Sequence, residues 1–340
     1  MMFVLNSKIA IGRFRFTTVN EVLIRKSAHS VVETAEVHIP AIAMISKRGS
    51  AQPERRITSK LFKSGEAVVI QLGYNGKLQT EFAGYVKNVV CEEHVVIQCE
   101  GLSWLLKRGT PDGITESSDV QSAVVSIRKM LPGLHIKCKD NIRLSNVFSS
   151  GMSGLAVINA MGEYTDGNIQ CFMAERDVLW CGRFYTACRK GEVFNSGSVV
   201  KYRIGFNALR GSALKVHNTE AAPVEVHYMK REINGTFTQG TARSIGDTGA
   251  KYERILNHVV GKESLRQLAD EKMERFRYAG LEGRLTAFLQ PYVQPGCRVL
   301  IEDILNPDRD GIYVAEGVEV RFGMGGGRRI IELGPKVGNT

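Results

Sequence analysis

The 340-residue chain contains no Cys-x-x-Cys pair, no His-Glu-x-x-His and no Gly-x-Ser-x-Gly. Those absences remove the usual signatures of zinc sites, zinc peptidases and serine hydrolases. No apolar run approaches the ~18 residues of a membrane helix. The N-terminal MMFVLNSKIAIGRF has no basic leader before a long apolar core, so neither a secretion signal nor a membrane anchor is expected. Asn234–Thr236 fits a glycosylation sequon but is read as a hairpin turn. Aromatic residues are 8% of the chain, and few interleave with Lys and Arg. That supply is thin for stacking on nucleic-acid bases. The positives form no long block, which argues against a nucleic-acid-binding tail.

The seven cysteines are an odd number: Cys91, Cys99, Cys138, Cys171, Cys181, Cys188 and Cys297. Several sit in apolar strand-like runs, where a thiol acts as a small hydrophobe. They are read as reduced, mostly buried thiols of a chain that folds in a cytoplasm.

Charge is abundant. Forty-five Lys and Arg against 35 Asp and Glu leave a net +10. Such a balance suits nucleic acid, an anionic membrane or an acidic protein face, and equally a merely soluble basic surface. Glycine, at 35 residues, favours many tight turns. The length allows two or three domains.

Periodicity divides the chain. Ala35, Val37 and Ile39 alternate with Thr34, Glu36 and His38, as in a half-buried strand. ISKRGSAQPERRITSK follows, with Lys47, Arg48, Arg55, Arg56 and Lys60 and little periodicity. It reads as a long exposed loop, either a binding element or a solvated connection. Asn75-Gly76 signals a hairpin, and residues 65–101 form a three-stranded meander.

Residues 111–185 change character. Ser118 with Gln121 has capping-box spacing before a helix whose face carries Val120, Val124, Ile127 and Leu131 and which stops at Pro132-Gly133. A strand over Leu134–Cys138, a helix carrying Leu155, Ile158 and Met161, and two strands flanking 174–177 complete a small α/β insert. Strand patterns then resume. A helix in KESLRQLADEKMERFRYAG puts Leu265, Leu268, Ala269, Met273 and Phe276 on one face. Glu271 and Arg275 form an i,i+4 pair on the other, and Gly280 serves as end cap.

The meander returns. Aligning Gly65 with Gly296 matches Val68 to Val299 and Ile70 to Ile301, and Gly101 falls near Gly334. The expected fold class is mainly β with an α+β insert: two similar antiparallel β-barrel domains plus a small α/β domain. The domains are 1–110, 111–188 and 189–340, the last with an inserted helix at about 262–279.

Other segments read as plain structure. Asn306, Asp308, Asp310 and Gly311 match the first half of a calcium loop, but position 317 is Gly where the bidentate acid belongs, so a turn is expected. GMGGGRR at 323–329 lacks the Lys-Ser/Thr of a phosphate loop and is read as a hairpin tip. The carboxylate pairs Glu33/Glu36, Glu92/Glu93 and Glu302/Asp303 are read as strand-exposed acids. No catalytic residue, metal site or cofactor is assigned.

GEAVVIQLGYNGKLQTEFAGYVKNV with CEGLSWLLKR, and DEKMERFRYAGLEGRLTAFLQPYVQPGCRVLIED, resemble the baseplate hub family of contractile phage tails. These are late control protein D and Mu-like tail proteins, related to the trunk of type VI secretion spikes. The resemblance implies a structural, non-enzymatic homotrimer. Two barrels in each of three chains would make a pseudo-sixfold ring joining a hexameric tail tube protein to a trimeric spike protein, with a channel for DNA or effectors. The location would be the virion baseplate, or a secretion or injection apparatus. Lys47, Arg48, Arg55, Arg56 and Lys60 are the expected subunit or tube contacts. Two other readings stay open: a basic OB-like nucleic-acid-binding module, and a cell-wall glycan hydrolase using a carboxylate pair.

Overall fold

The computed structural model describes residues 4–46, 53–91, 93–115, 118–194, 199–211, 213–217, 225–243, 251–276 and 280–338. β1 (Leu5–Ile11) and β2 (Phe14–Phe16) form one hairpin, and β3 (Glu21–Ser27) and β4 (Ser30–Ile39) another. Along β4, Val31, Glu33, Ala35, Val37 and Ile39 are buried and the residues between are half-buried, the predicted period of two. β5 (Ile42–Ile45), β6 (Glu54–Ile57) and a 3-10 turn at Thr58–Lys60 come next. The segment read as a continuous loop therefore holds a short ladder. Then β7 (Ala67–Tyr74), β8 (Lys77–Cys91) and β9 (Val95–Glu100) make the first meander. Asn75 and Gly76 turn it with φ of 51° and 79°, the left-handed pair of a two-residue hairpin.

The α/β unit carries α1 (Ser103–Leu106), α2 (Val120–Met130), β10 (His135–Cys138), α3 (Gly154–Glu163), β11 (Gln170–Glu175), β12 (Val178–Gly182) and α4 (Phe184–Lys190). Val120, Val124 and Ile127 are buried on α2 as predicted. Its cap differs from the expectation. Asp119, not Ser118, accepts from the Ser122 N–H at 2.6 Å, and the Ser118 hydroxyl accepts from the Thr115 N–H instead. An ionised acceptor at the helix start also meets the helix dipole.

The remainder supplies β13 (Val199–Arg203), β14 (Ala213–His217), β15 (Glu225–Arg231), β16 (Phe237–Arg243), β17 (Lys251–Ile255), α5 (Lys262–Phe276), β18 (Gly280–Ala287), β19 (Arg298–Glu302), β20 (Gly311–Gly323) and β21 (Gly326–Gly338). Gly280 opens β18 rather than capping α5. The i,i+4 pair on α5 is also corrected: Glu271 is buried, turned toward the first turn of α4. Its carboxylate accepts from the Tyr185 and Thr186 N–H groups at 2.6 and 3.0 Å and from the Thr186 hydroxyl at 2.6 Å. The unpaired N–H groups of a helix start are a better partner than an exposed Arg.

A thirteen-stranded sheet joins both ends of the chain. Its main path runs β14–β18–β21–β20–β3–β4–β9–β8–β7–β1–β2, with β19 on β20 and β13 on β19. β20 is the joint, since Gly317–Gly323 pair antiparallel with β3. One apolar cluster serves both meanders, with Val37, Ile70 and Val86 in the same core as Leu285, Val299 and Tyr313. A second joins Val124, Ile127 and Met161 to Tyr228, Leu265 and Leu268, so β15–β17 and α5 pack with the α/β unit. The fold is mainly β, mostly antiparallel, with a small α/β part, as predicted.

The repeat is visible in the backbone. Gly65 and Gly296 have φ of 88° and 87°, a region that favours glycine. The Gly65 N–H donates to the Val86 carbonyl at 2.8 Å, and the Val86 N–H returns to the Glu66 carbonyl at 2.9 Å. The Gly296 N–H donates to the Ala315 carbonyl at 2.7 Å, and the Ala315 N–H returns to the Cys297 carbonyl at 2.9 Å. Each copy thus starts with the same hydrogen-bonded step onto its long middle strand.

Candidate interface at the β5–β6 hairpin

Pro40 ends β4, and the chain leaves the large sheet into a ladder of two strands only. Its register is Ile42↔Ile57, Ala43↔Arg56, Met44↔Arg55 and Ile45↔Glu54. Opposed residues share a face, and successive residues alternate. One face therefore carries Ile42, Met44, Ile57 and Arg55, and the other Ala43, Ile45, Arg56 and Glu54. The first face is open: Ile42, Met44 and Ile57 are 43%, 62% and 52% exposed. On the second, the Arg56 Nη2 meets the Glu54 carboxylate at 2.6 Å. An isolated two-stranded hairpin is marginal in water. One that also shows three large apolar side chains has the character of a contact surface.

The three described basic residues are thereby separated. Arg55 belongs to the apolar face, Arg56 is engaged by Glu54, and exposed Lys60 lies in the following 3-10 turn. Lys47 and Arg48 lie outside the described residues. The apolar members Ile42, Met44 and Ile57 were missed in sequence because four-residue strands show too little alternation to orient them. At the hairpin base, His38 Nδ1 and His94 Nε2 share a hydrogen bond of 2.9 Å between stacked rings, tying the end of β4 to the start of β9.

The carboxylate pairs do not converge. Glu33 is buried beside Lys26 at 3.5 Å, and burial raises its pKa. Glu36 points to the opposite face of β4. Glu33 lines a cleft of ≈ 390 Å³ with Glu81, Tyr292 and Gln294, but Glu81 is committed to Arg329. Glu302 is held by Arg203 and by Lys201. Asp303 accepts from the Leu305 N–H, Asn306 Nδ2 and Arg309 Nη1, while Asp310 accepts from the Asp303 N–H. The Asp303 and Asp310 carboxylates thus serve their own turn. Glu92 lies outside the described residues. Gly323 and Gly326 close a two-residue hairpin tip between β20 and β21. Among the described residues no group of three or more His, Cys, Asp and Glu is placed to hold a metal, and no helix is long and apolar enough to cross a membrane.

The sequence pattern also gave no sign of Arg329. It is 1% exposed, donating Nη2 to Glu81 at 2.6 Å, Nη1 to the Val293 carbonyl at 3.1 Å and Nη2 to the Leu289 carbonyl at 3.0 Å. Burial works against its charge, and Glu81 together with Tyr202 and Tyr292 outweighs that, leaving its pKa raised. The pair bridges β8 of the first meander and β21 of the second.

Solved structures share this architecture over nearly the whole chain. A tail protein from Neisseria meningitidis MC58 superposes with a TM-score of 0.66 at 12% identity, covering 97% of this chain and 96% of that one. The prophage MuSo2 43 kDa tail protein from Shewanella oneidensis gives 0.61 at 10% identity, covering 97% and 98%. A component of the E. coli type VI secretion system, described as structurally similar to T4 bacteriophage tail proteins, gives 0.54 at 11% identity, covering 98% and 78%. No protein-family model matches the chain, and no curated protein matches it in sequence. At these identities the likeness is one of fold: the chain has the fold of phage tail proteins.

Proposed function

We propose that the chain is a structural tail or baseplate hub protein of a contractile injection machine. The observation that carries this is the end-to-end fold match with phage tail proteins, in which neither chain has a large unmatched domain. Three units make up the hub: a first barrel over 1–110, a small α/β unit over 111–188 and a second barrel over 189–340. The last contributes its helix and three short strands to the α/β core.

Three chains, each with two like meanders, would present six like units around a closed ring. Such a ring seats a hexameric tail tube on one side and a trimeric spike on the other, leaving a channel for DNA or effectors. The matched backbone step at Gly65 and Gly296 supports the equivalence of the two units. The β5–β6 hairpin supplies the contact to a neighbouring subunit or the tube. The location follows: a virion baseplate, or the corresponding part of a secretion apparatus.

Native mass spectrometry with imaging of the same sample tests the assembly. A species near 113 kDa, three times the 37.6 kDa chain, imaged as a ring of six lobes is expected. A chain that stays monomeric alone and also with its spike and tube partners would overturn the trimeric hub.

A further inference from the structure

Three thiols stand in one row across the sheet of the α/β unit. Cys138 on β10 is the partner of Cys181 on β12 in the parallel register, and Cys171 on β11 is the partner of Cys181 in the antiparallel one. The Sγ atoms of Cys171 and Cys181 are 2.8 Å apart, and all three residues are free thiols. Opposed antiparallel residues have Cα atoms about 4.5–5.5 Å apart, within the span a disulfide accepts. Cys171 and Cys181 are buried and Cys138 is half-buried, so the row has a less buried end at Cys138 and a closed end.

We propose that this row is an oxidation site, in which Cys138 receives an external disulfide, Cys181 resolves it, and the bond comes to rest between Cys171 and Cys181. With oxidised glutathione as oxidant, the Cys138 thiolate attacks one glutathione sulfur and releases one glutathione. The Cys181 thiolate then attacks the Cys138 sulfur and releases the second, leaving Cys138–Cys181. The Cys171 thiolate finally attacks Cys181 and frees Cys138 as a thiol. The balance is two protein thiols and one oxidised glutathione giving one protein disulfide and two reduced glutathiones. The first two steps are slow because thiolate is suppressed at Cys138 and Cys181. The hydrogen-bonded contact with Cys181, and then burial, raise the Cys138 pKa; at Cys181 the contact with Cys138 lowers the pKa, but the contact with Cys171 and burial outweigh it and leave it raised. The site therefore survives as thiols in a reducing cytosol and closes under prolonged oxidation. It does not depend on the assembly reading above.

The full chain is incubated with oxidised glutathione, quenched, alkylated after unfolding, and digested with trypsin, which can cut at Arg176 between the two cysteines. Peptides bearing Cys171 and Cys181 should be found joined, with Cys138 alkylated. Cys138→Ser should slow the bond at least tenfold without abolishing it under a smaller thiol oxidant such as diamide. Cys171→Ala should leave Cys138–Cys181 as the product. Full alkylation of Cys171 and Cys181 in the wild type, or glutathione held on Cys138 alone, would overturn the site. Unchanged kinetics in Cys138→Ser would overturn the relay.

Discussion

β7–β8–β9 and β19–β20–β21 begin with the same glycine step, yet what surrounds them differs. The first copy turns from β7 to β8 through Asn75-Gly76, and its outer neighbour β1 runs antiparallel to β7. The second goes from β19 to β20 through residues 303–310, and its outer neighbour β13 runs parallel to β19. The β3–β4 connection is a tight hairpin, whereas the strands in the same place beside the second copy, β14 and β18, are separated by β15–β17 and α5. Only the first copy is preceded by the β5–β6 hairpin. The meander is shared scaffold, and specialisation sits in the connections, where insertions disturb no ladder. In a ring of six like units, the hairpin and the insertion would each occur three times.

The largest effect is expected where the two copies meet. Arg329 and Glu81 are 1% and 2% exposed, so removing one partner strands the other charge in the core. Arg329→Met should lower unfolding stability by about 3–5 kcal/mol, read from denaturant midpoints. Replacing both groups by apolar residues should recover much of that loss. Equal damage from the single and the double replacement would mean the pair matters as shape, not charge.

Glu271 tests the insertion that distinguishes the second copy. Burial pushes its pKa up to about 7, while Thr186 and Tyr185 pull it back toward the ordinary 4.5. A folded pKa above the unfolded one means the folded state holds the proton more tightly. Its contribution is then complete below about pH 4.5 and is lost as pH rises through about 7. The expected span is about 3 kcal/mol. Glu271→Gln should flatten this part of the stability profile, and an unchanged profile would assign it to other groups.

Gly65 and Gly296 share a backbone conformation but not an environment. A Cβ at Gly296 would come within 2.8 Å of Val193 Cγ1 and 3.1 Å of Phe172, whereas at Gly65 its nearest contact is Trp104 at 3.9 Å. Gly65→Ala should cost about 1–2 kcal/mol for left-handed strain alone. Gly296→Ala should cost about 1 kcal/mol more, because overpacking is added. Equal losses would mean the surroundings of Gly296 relax freely.

Local signals explain which parts of this architecture were legible. The alternation in β4, the Asn75-Gly76 turn and the apolar face of α5 each lie within a few residues, and all appear as read. The glycine alignment was legible because the backbone step needs left-handed φ in both copies. Pairings set by distant partners were not. Glu271 looked like a surface acid because the helix start it serves is 85 residues away. Arg329 looked like part of a hairpin tip because its partner Glu81 lies 248 residues away. Within the hairpin the basic residues were legible as a cluster. Their division between two faces depends on a register that ERRI, with one apolar residue in four, does not encode.

That division gives the prediction with the smallest effect on folding. Arg55 shares its face with Ile42, Met44 and Ile57, whereas Arg56 faces Glu54. All these positions except Glu54 are exposed, so single changes should move stability by no more than about 0.5 kcal/mol. If the open face is the contact, Arg55→Glu and Ile57→Asp should each impair assembly of an otherwise folded chain, by native mass spectrometry and imaging. Arg56→Glu replaces an ion pair on the other face by two like charges, so it should disturb the hairpin locally and impair assembly less. Equal defects from Arg55→Glu and Arg56→Glu would point to overall basic charge rather than one face. Normal assembly by Ile57→Asp would remove the hairpin from the interface and shift attention to the sheet edges at β2 and β13.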